Sequence, residues 1–257
     1  MKKLILSLFV LIFGAVNTFA AEFRFAQIAD AKYSKTNNTL EKMIQDINKQ
    51  KDIKFVVFTG DNIEKVSQQN LLDFIKASKK LNKPFYVVLG DKDVNKHKDL
   101  SKKQYAKIMK KHVRTFKDEN TNYVFKYKKL VFLVADGSRD VIPSTNGYYK
   151  DNVLEWVDAN LDLYSKNNVI ILQHFPLIPP ANKESYYTFK PEKYLEIIKN
   201  HPNVKAVITG HFNVNKEDMV DNVVHISTAS APAYRIIDII DYETSNPTFW
   251  AEVREVK

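Results

Sequence analysis

Short apolar segments alternate with longer stretches whose apolar residues recur at helical spacing, and this alternation most constrains what the chain can fold into. Residues 23–29 read as a strand. Residues 38–50 follow, with Leu40, Met43, Ile44 and Ile47 on one helical face. Residues 54–59 (KFVVFT) read as a buried strand. Residues 66–81 are helical, with Leu71, Leu72, Phe74, Ile75 and Ala77 forming a broad stripe, and Pro84 introduces a strand at 85–89. Strand, helix, strand, helix, strand in that order dictates a parallel sheet with right-handed crossovers. The middle breaks the pattern. A lysine-rich helix is expected over 98–112, then a hairpin of 123–127 and 130–135, whose turn near Lys128-Lys129 lacks a glycine. Residues 151–164 form a helix, 169–172 a strand, 191–199 a helix that opens on proline, and 204–209 a strand. The tail reads as successive strands at 223–226, 234–240 and 248–253. With no internal repeat or low-complexity linker, residues 21–257 read as one α/β domain of two sheets and outer helices.

The first twenty residues follow a different logic. Met1, Lys2 and Lys3 precede an apolar run over 4–16, interrupted only by Ser7 and Gly14. Thr18-Phe19-Ala20 then offers small residues where a signal peptidase reads. A secretory signal peptide cleaved after Ala20 is expected, and hence a periplasmic or secreted protein with no stable membrane insertion. The run falls short of the roughly 20 residues that span a bilayer; retention as an anchor is the alternative. Loss of Lys2 and Lys3 lowers the formal net charge from +9 by two, to +7. The remaining lysines are scattered, which describes a solvated surface rather than a nucleic-acid groove. The chain has no cysteine, which excludes disulfides, thiolate metal sites and a cysteine nucleophile. Any metal site must be built from His, carboxylate and amide groups.

Such groups collect where strands end. Five strand ends, in chain order, carry Ile28-Ala29-Asp30-Ala31-Lys32, Thr59-Gly60-Asp61-Asn62, Leu89-Gly90-Asp91-Lys92-Asp93, Leu172-Gln173-His174-Phe175-Pro176 and Thr209-Gly210-His211-Phe212-Asn213. A Gly-Asp after one strand is ordinarily a turn. Five polar ends in order point to a ligand site beyond the carboxyl ends of the strands. Asp30, Asp61, Asp91, His174 and His211 are oxygen and imidazole donors that suit Mn²⁺, Fe or Zn²⁺ better than Ca²⁺. The glycines allow sharp turns and close approach.

This order resembles the calcineurin-like metallophosphoesterases, whose pattern runs Asp-x-His, Gly-Asp, Gly-Asn-His-Asp/Glu, His, Gly-His-x-His. Residues 147–161 are similar to the helix that precedes the family's His-x-Pro strand. The resemblance implies a four-layer αββα sandwich and a two-metal site acting on phosphate esters. It also exposes departures. One implied metal site falls on Asp30, Lys32, Asp61 and Asn213, where a protonated lysine cannot ligate. The other falls on Asp61, Asp91, His174 and His211 and keeps four donors, so one divalent ion (Mn, Fe or Zn) is expected. Lys92 occupies the position of a histidine that protonates the leaving group or binds phosphate. A lysine there can hold phosphate but is a poor general acid unless its pKa is perturbed.

Two readings of Lys32 and Lys92 remain open. In one, the Lys32 ammonium stands between Asp30 and Asp61 in place of an ion, and the protein hydrolyses a small phosphomonoester or phosphodiester. In the other, the lysines only neutralise orphaned aspartates, and the cleft is a catalytically inactive module binding phosphate, nucleotide or protein. His97, His112 and His201 read as surface residues and His225 as structural. Tyr148, Tyr149, Tyr186 and Tyr187 read as half-buried rather than as a stacking platform, and the segment from Pro176 to Tyr187 as a loop over the cleft.

Overall fold

A computed structural model describes residues 22–181 and 186–256. The signal peptide expected over 1–20 and part of the loop expected over the cleft lie outside these residues.

Three parallel strands, β1 (Glu22–Ile28), β2 (Val56–Thr59) and β3 (Phe85–Val88), are joined by α1 (Thr39–Lys49) and α2 (Gln68–Ser78). The helix α3 (Lys102–His112) leads to the antiparallel hairpin β4 (Tyr123–Tyr127) and β5 (Leu130–Val134). From β5 a second parallel run passes through α4 (Asp151–Leu163) to β6 (Asn168–Leu172) and through α5 (Glu192–Asn200) to β7 (Val204–Thr209). The chain ends with β8 (Lys216–Val220), β9 (Val223–Ser227), β10 (Ala233–Ile240) and β11 (Thr248–Glu255). The strand orders are β11-β10-β1-β2-β3 and β4-β5-β6-β7-β9-β8.

Alternation along each strand sorts the side chains into layers. Phe23, Phe25, Val57 and Val88 face Phe132, Val134, Ile170, Leu172 and Ile208 between the two sheets. The opposite faces, Ala26, Ile28, Val56 and Phe58 on one sheet and Val131, Leu133 and Ile171 on the other, receive the helices. Helix α1 contributes Leu40, Met43, Ile44 and Ile47 to the first outer layer, and α4 contributes Val153, Leu154, Val157 and Leu161 to the second. The architecture is therefore helices, sheet, sheet, helices, with two mixed sheets.

Three local departures from expectation have physical causes. Helix α3 starts at Lys102, not at 98, because Ser101 and Gln104 form a capping box. Residues 95–100 instead close a loop through Asn95 N–H donating to the Leu100 carbonyl. The glycine-free turn of the hairpin works because Lys128 takes a positive φ of 53°. Strand β8 (KEDMV) had no apolar signature because it is an exposed edge; charged side chains there discourage pairing with other chains.

Candidate metal centre

The carboxyl ends of β1, β2, β3, β6 and β7 meet at one edge of the sandwich. The first two are stitched together: Asp30 N–H donates to the Gly60 carbonyl (3.1 Å), Lys32 N–H to that of Asp61 (2.9 Å) and Tyr33 N–H to that of Asn62 (2.9 Å). The second sheet adds Gly210 N–H donating to the His174 carbonyl (3.1 Å). Gln27 then ties the sheets together, donating to Thr59 Oγ1 (3.0 Å) and to the Thr209 carbonyl (2.8 Å).

Backbone strain concentrates here. Among the described residues eleven non-glycine positions have positive φ, and Asp30, Lys32, Asp61, His211 and Asn213 are five of them. Left-handed conformations cost most side chains energy and persist where surrounding structure enforces them, typically at functional sites. Gly60 is also left-handed (φ 92°), and a Cβ there would lie 2.3 Å from His174 Nδ1. At Gly90 a Cβ would meet Asp61 N at 2.1 Å and Asp61 Oδ1 at 2.5 Å. The close approach anticipated for these glycines is made by the site's own residues, the His174 ring at Gly60 and the backbone and carboxylate of Asp61 at Gly90.

Asp61, Asp91, His174 and His211 converge, their ligand atoms all within 4.8 Å of one another, and all four are buried. His174 Nε2 lies 3.1 Å from Asp91 Oδ1 and 3.4 Å from Asp61 Oδ1; His211 Nδ1 lies 3.1 Å from Asp91 Oδ1. Each ring spends its other nitrogen on a backbone carbonyl: His174 Nδ1 on Thr59 (2.7 Å) and His211 Nε2 on Thr145 (2.8 Å). Carbonyls only accept, so these bonds place the N–H outward and leave His174 Nε2 and His211 Nδ1 facing one another at 3.0 Å. Two opposed lone pairs with two carboxylates beside them require a proton or a cation between them. This donor set fits a divalent ion, since ligating histidines ordinarily hold such outer hydrogen bonds.

The electrostatics agree. Burial alone would push His174 down, but the charge of Asp61, the Asp91 hydrogen bond and Asp30 outweigh it and lift the imidazole to about 10. Burial likewise opposes ionisation of Asp91, yet its hydrogen bonds with His174 and His211 hold it far below the usual carboxylate range. Asp30 is raised by burial, against the nearby His174 charge.

The remaining anticipated residues border the cluster. Asp30 Oδ2 accepts His211 N–H (2.7 Å), while the buried Oδ1 has no hydrogen-bond partner and faces Lys32 Nζ at 3.8 Å. Lys32 Nζ also donates to Asn213 Oδ1 (3.3 Å). The ammonium on Asp61 is that of Lys92, 2.8 Å from Oδ2, whereas Lys32 pairs with Asp30 and does not stand between Asp30 and Asp61 as the sequence suggests. Burial acts to lower Lys92, but Asp61 overrides it and the ammonium is raised above its ordinary value.

Asp93 was not singled out, although it stands two residues beyond Asp91. Its carboxylate accepts from Asn62 N (2.7 Å), Ile63 N (3.2 Å), Asn62 Nδ2 (2.8 Å) and Gly90 N (2.9 Å), clamping the loops after β2 and β3 together. Burial and the Asp61 charge push it up to about 7, against four N–H donors that favour the ionised form. A buried acid after Gly-Asp-Lys was the available signal. Thr145 carried none, because its contribution is a backbone carbonyl.

Known proteins match the chain at the level of fold and family. Among solved structures, a dimetal phosphatase from Danio rerio superposes with a TM-score of 0.66 at 15% identity, covering 89% of this chain and 98% of that one. A purple acid phosphatase from yellow lupin (Lupinus luteus) gives 0.60 at 13% identity, covering 92% and 52%. GAP50, described as the anchor in the inner membrane complex of Plasmodium, gives 0.58 at 16%, covering 92% and 89%. At such identities the likeness is one of fold. The curated relative YvnB of Bacillus subtilis, itself uncharacterised, is 26% identical over 189 residues, covering 70% of this chain; the match spans only 14% of that protein's length. The calcineurin-like phosphoesterase family model matches residues 23–215, β1 to the loop before β8 and with it every residue of the cluster; the chain belongs to that family.

Proposed function

We propose that this protein is a phosphoesterase that works with one divalent ion, Mn, Fe or Zn, held by Asp61, Asp91, His174 and His211. Its substrate would be a small phosphomonoester or phosphodiester. The observation that carries this reading is the convergence of four buried donors with both imidazole tautomers already set. When bound there, the ion supplies Lewis-acid polarisation of a phosphate oxygen and activation of water. The chain's own residues do the rest. Lys32 neutralises the Asp30 side, where Asn213 and an ammonium leave too few donors for a second ion. Lys92 is charged and half-exposed beside Asp61, placed to hold a phosphate oxygen. Its raised pKa makes it an anchor rather than a proton donor. Without an acid to protonate it, the leaving group must itself be acidic. Turnover is therefore expected to fall steeply with leaving-group pKa, nitrophenyl esters far exceeding alkyl esters; a flat dependence would contradict this role for Lys92.

The first test is metal analysis of protein purified without chelator. About one ion per chain is expected, lost in the His174→Ala His211→Ala double variant. No metal, and no turnover of nitrophenyl phosphate or bis-nitrophenyl phosphate with added Mn²⁺, would sink the proposal. One observation favours a second reading, a catalytically inactive binding module: the Asp30–Lys32 and Asp61–Lys92 pairs offset two buried carboxylates with no metal at all. Export belongs to the same proposal, resting on the pattern of residues 1–20. Among the described residues no helix is long and apolar enough to cross a membrane. N-terminal sequencing of the native protein should begin at Ala21; an intact Met1 would refute cleavage.

A further inference from the structure

A cleft of about 610 Å³ opens directly off the metal centre. Its lining includes Asp91 and Lys92 together with Lys65, Lys98, Ser144 and Thr145, alongside Glu64 and the apolar Val66, Val94 and Pro143. Thr145 joins the two, since its carbonyl fixes the His211 ring. A larger hollow of about 1010 Å³, between Tyr86 and Tyr164, shares no residue with the metal centre.

The cleft is built rather than incidental. Its 95–98 wall is fastened to the 139–146 wall: Lys96 N–H donates to the Asp140 carbonyl (2.7 Å), and the His97 ring meets the Val141 carbonyl at 2.9 Å. The wall carrying Lys65 is fixed by Asn70 Nδ2 donating to the Lys65 carbonyl (2.8 Å) and by Glu64 N–H donating to Tyr33 (3.0 Å). The backbone that presents both lysines is thus held before any ligand arrives. The ammonium groups are uncommitted. Lys92 pairs with Asp61 and Lys32 with Asp30, but among the described residues neither Lys65 nor Lys98 forms an ion pair. Ser144 Oγ accepts the Asn146 N–H (3.1 Å), which leaves its own hydroxyl hydrogen to donate. Lys65, Lys92 and Lys98 against Glu64 and Asp91 give the lining a positive balance, and the ammonium groups of Lys65 and Lys98 are the two left without an ion pair.

We propose that Lys65 and Lys98, with Ser144, form a second anion subsite, and that the preferred substrate is a phosphoester carrying another phosphate or carboxylate beyond the reacting one. The proposal rests on the phosphoesterase reading only for the word substrate; the subsite itself is a binding property. The reacting phosphate sits at Asp91 and Lys92, and the second anion lies along the cleft against Lys65 and Lys98. Charge-assisted contacts of this kind set orientation as well as affinity.

Calorimetric titration with fructose bisphosphate and fructose monophosphate, at one fixed salt concentration, tests it. The wild-type protein should bind the bisphosphate at least about tenfold more tightly, which corresponds to two charge-assisted contacts of modest strength. The Lys65→Ala Lys98→Ala variant should bring the two ligands to parity with monophosphate affinity unchanged. Both side chains are exposed, so this variant should fold. Glu64→Gln should widen the preference. Equal binding by the wild type, or equal weakening of both ligands in the double variant, would overturn the subsite. A preserved bisphosphate preference with no turnover of either ester leaves the subsite standing and removes the phosphoesterase reading. Turnover without the preference does the reverse.

Discussion

Gly60 has two jobs. It turns the chain through a left-handed conformation after β2, and it leaves room for the His174 ring against the Thr59 carbonyl. Gly60→Ala would strain the backbone and collide with backbone-anchored imidazole, so neither neighbour can yield cheaply. The expected loss is about 2–4 kcal/mol of stability together with metal occupancy, read by thermal melting and metal analysis. A stable, fully loaded variant would refute the argument. At this scale the sequence was informative wherever chemistry resides in a side chain: Asp61, Asp91, His174 and His211 were all legible at strand ends. What it withheld was backbone. The positive φ of Lys32, and the carbonyl of Thr145 behind His211, leave no mark in residue type, and that of Asp30 and Asn213 only the general tolerance of Asp and Asn for it.

Between elements, the joint that matters links the loops after β2 and β3. Asp93 supplies most of its hydrogen bonds, its two oxygens meeting four N–H groups from Asn62, Ile63 and Gly90, beside the bonds that Lys92 makes to Asp61. Asp93→Ala would leave buried donors without acceptors. The cost should be at least about 3 kcal/mol, and Asp61 and Asp91 should lose their mutual placement. Denaturant unfolding and metal content of the variant check this; undiminished metal affinity would show that the loops hold each other by other means. Apolar residues at helical spacing located α1, α2 and α4 because their buried stripes are long, whereas α3 was read from a lysine-rich stretch and α5 from its leading proline. The start of α3 was misplaced because a lysine-rich surface looks helical before the Ser101 cap intervenes. Strand β8 was missed because an edge strand facing water is under no pressure to alternate.

Across the whole molecule, the two sheets are locked by aromatic packing. The Phe55 ring meets Phe23, Phe25 and Tyr86 from one sheet and Phe125, Tyr127 and Phe132 from the other. Phe55→Ala should cost about 3–5 kcal/mol and be felt at the metal centre, because the site draws on both sheets. A melting temperature lowered with metal affinity intact would instead place the site's rigidity in its own loops. The layer order was readable from the alternation of strands and helices, whereas which sheet β10 and β11 join was not: β10 runs antiparallel beside β1, from the far end of the chain, and β11 antiparallel beside β10, which no local pattern encodes. The two tethered imidazoles have one more consequence. With His174 lifted to about 10, the empty centre holds a proton at neutral pH where an ion would reside. Loading is then an exchange reaction, and its heat should vary with the ionisation enthalpy of the buffer. Apparent affinity should climb about tenfold per pH unit below that value. Identical heats in Pipes and Tris would mean that no proton leaves. On this chemistry, acidification is a route by which such a protein surrenders its metal without unfolding.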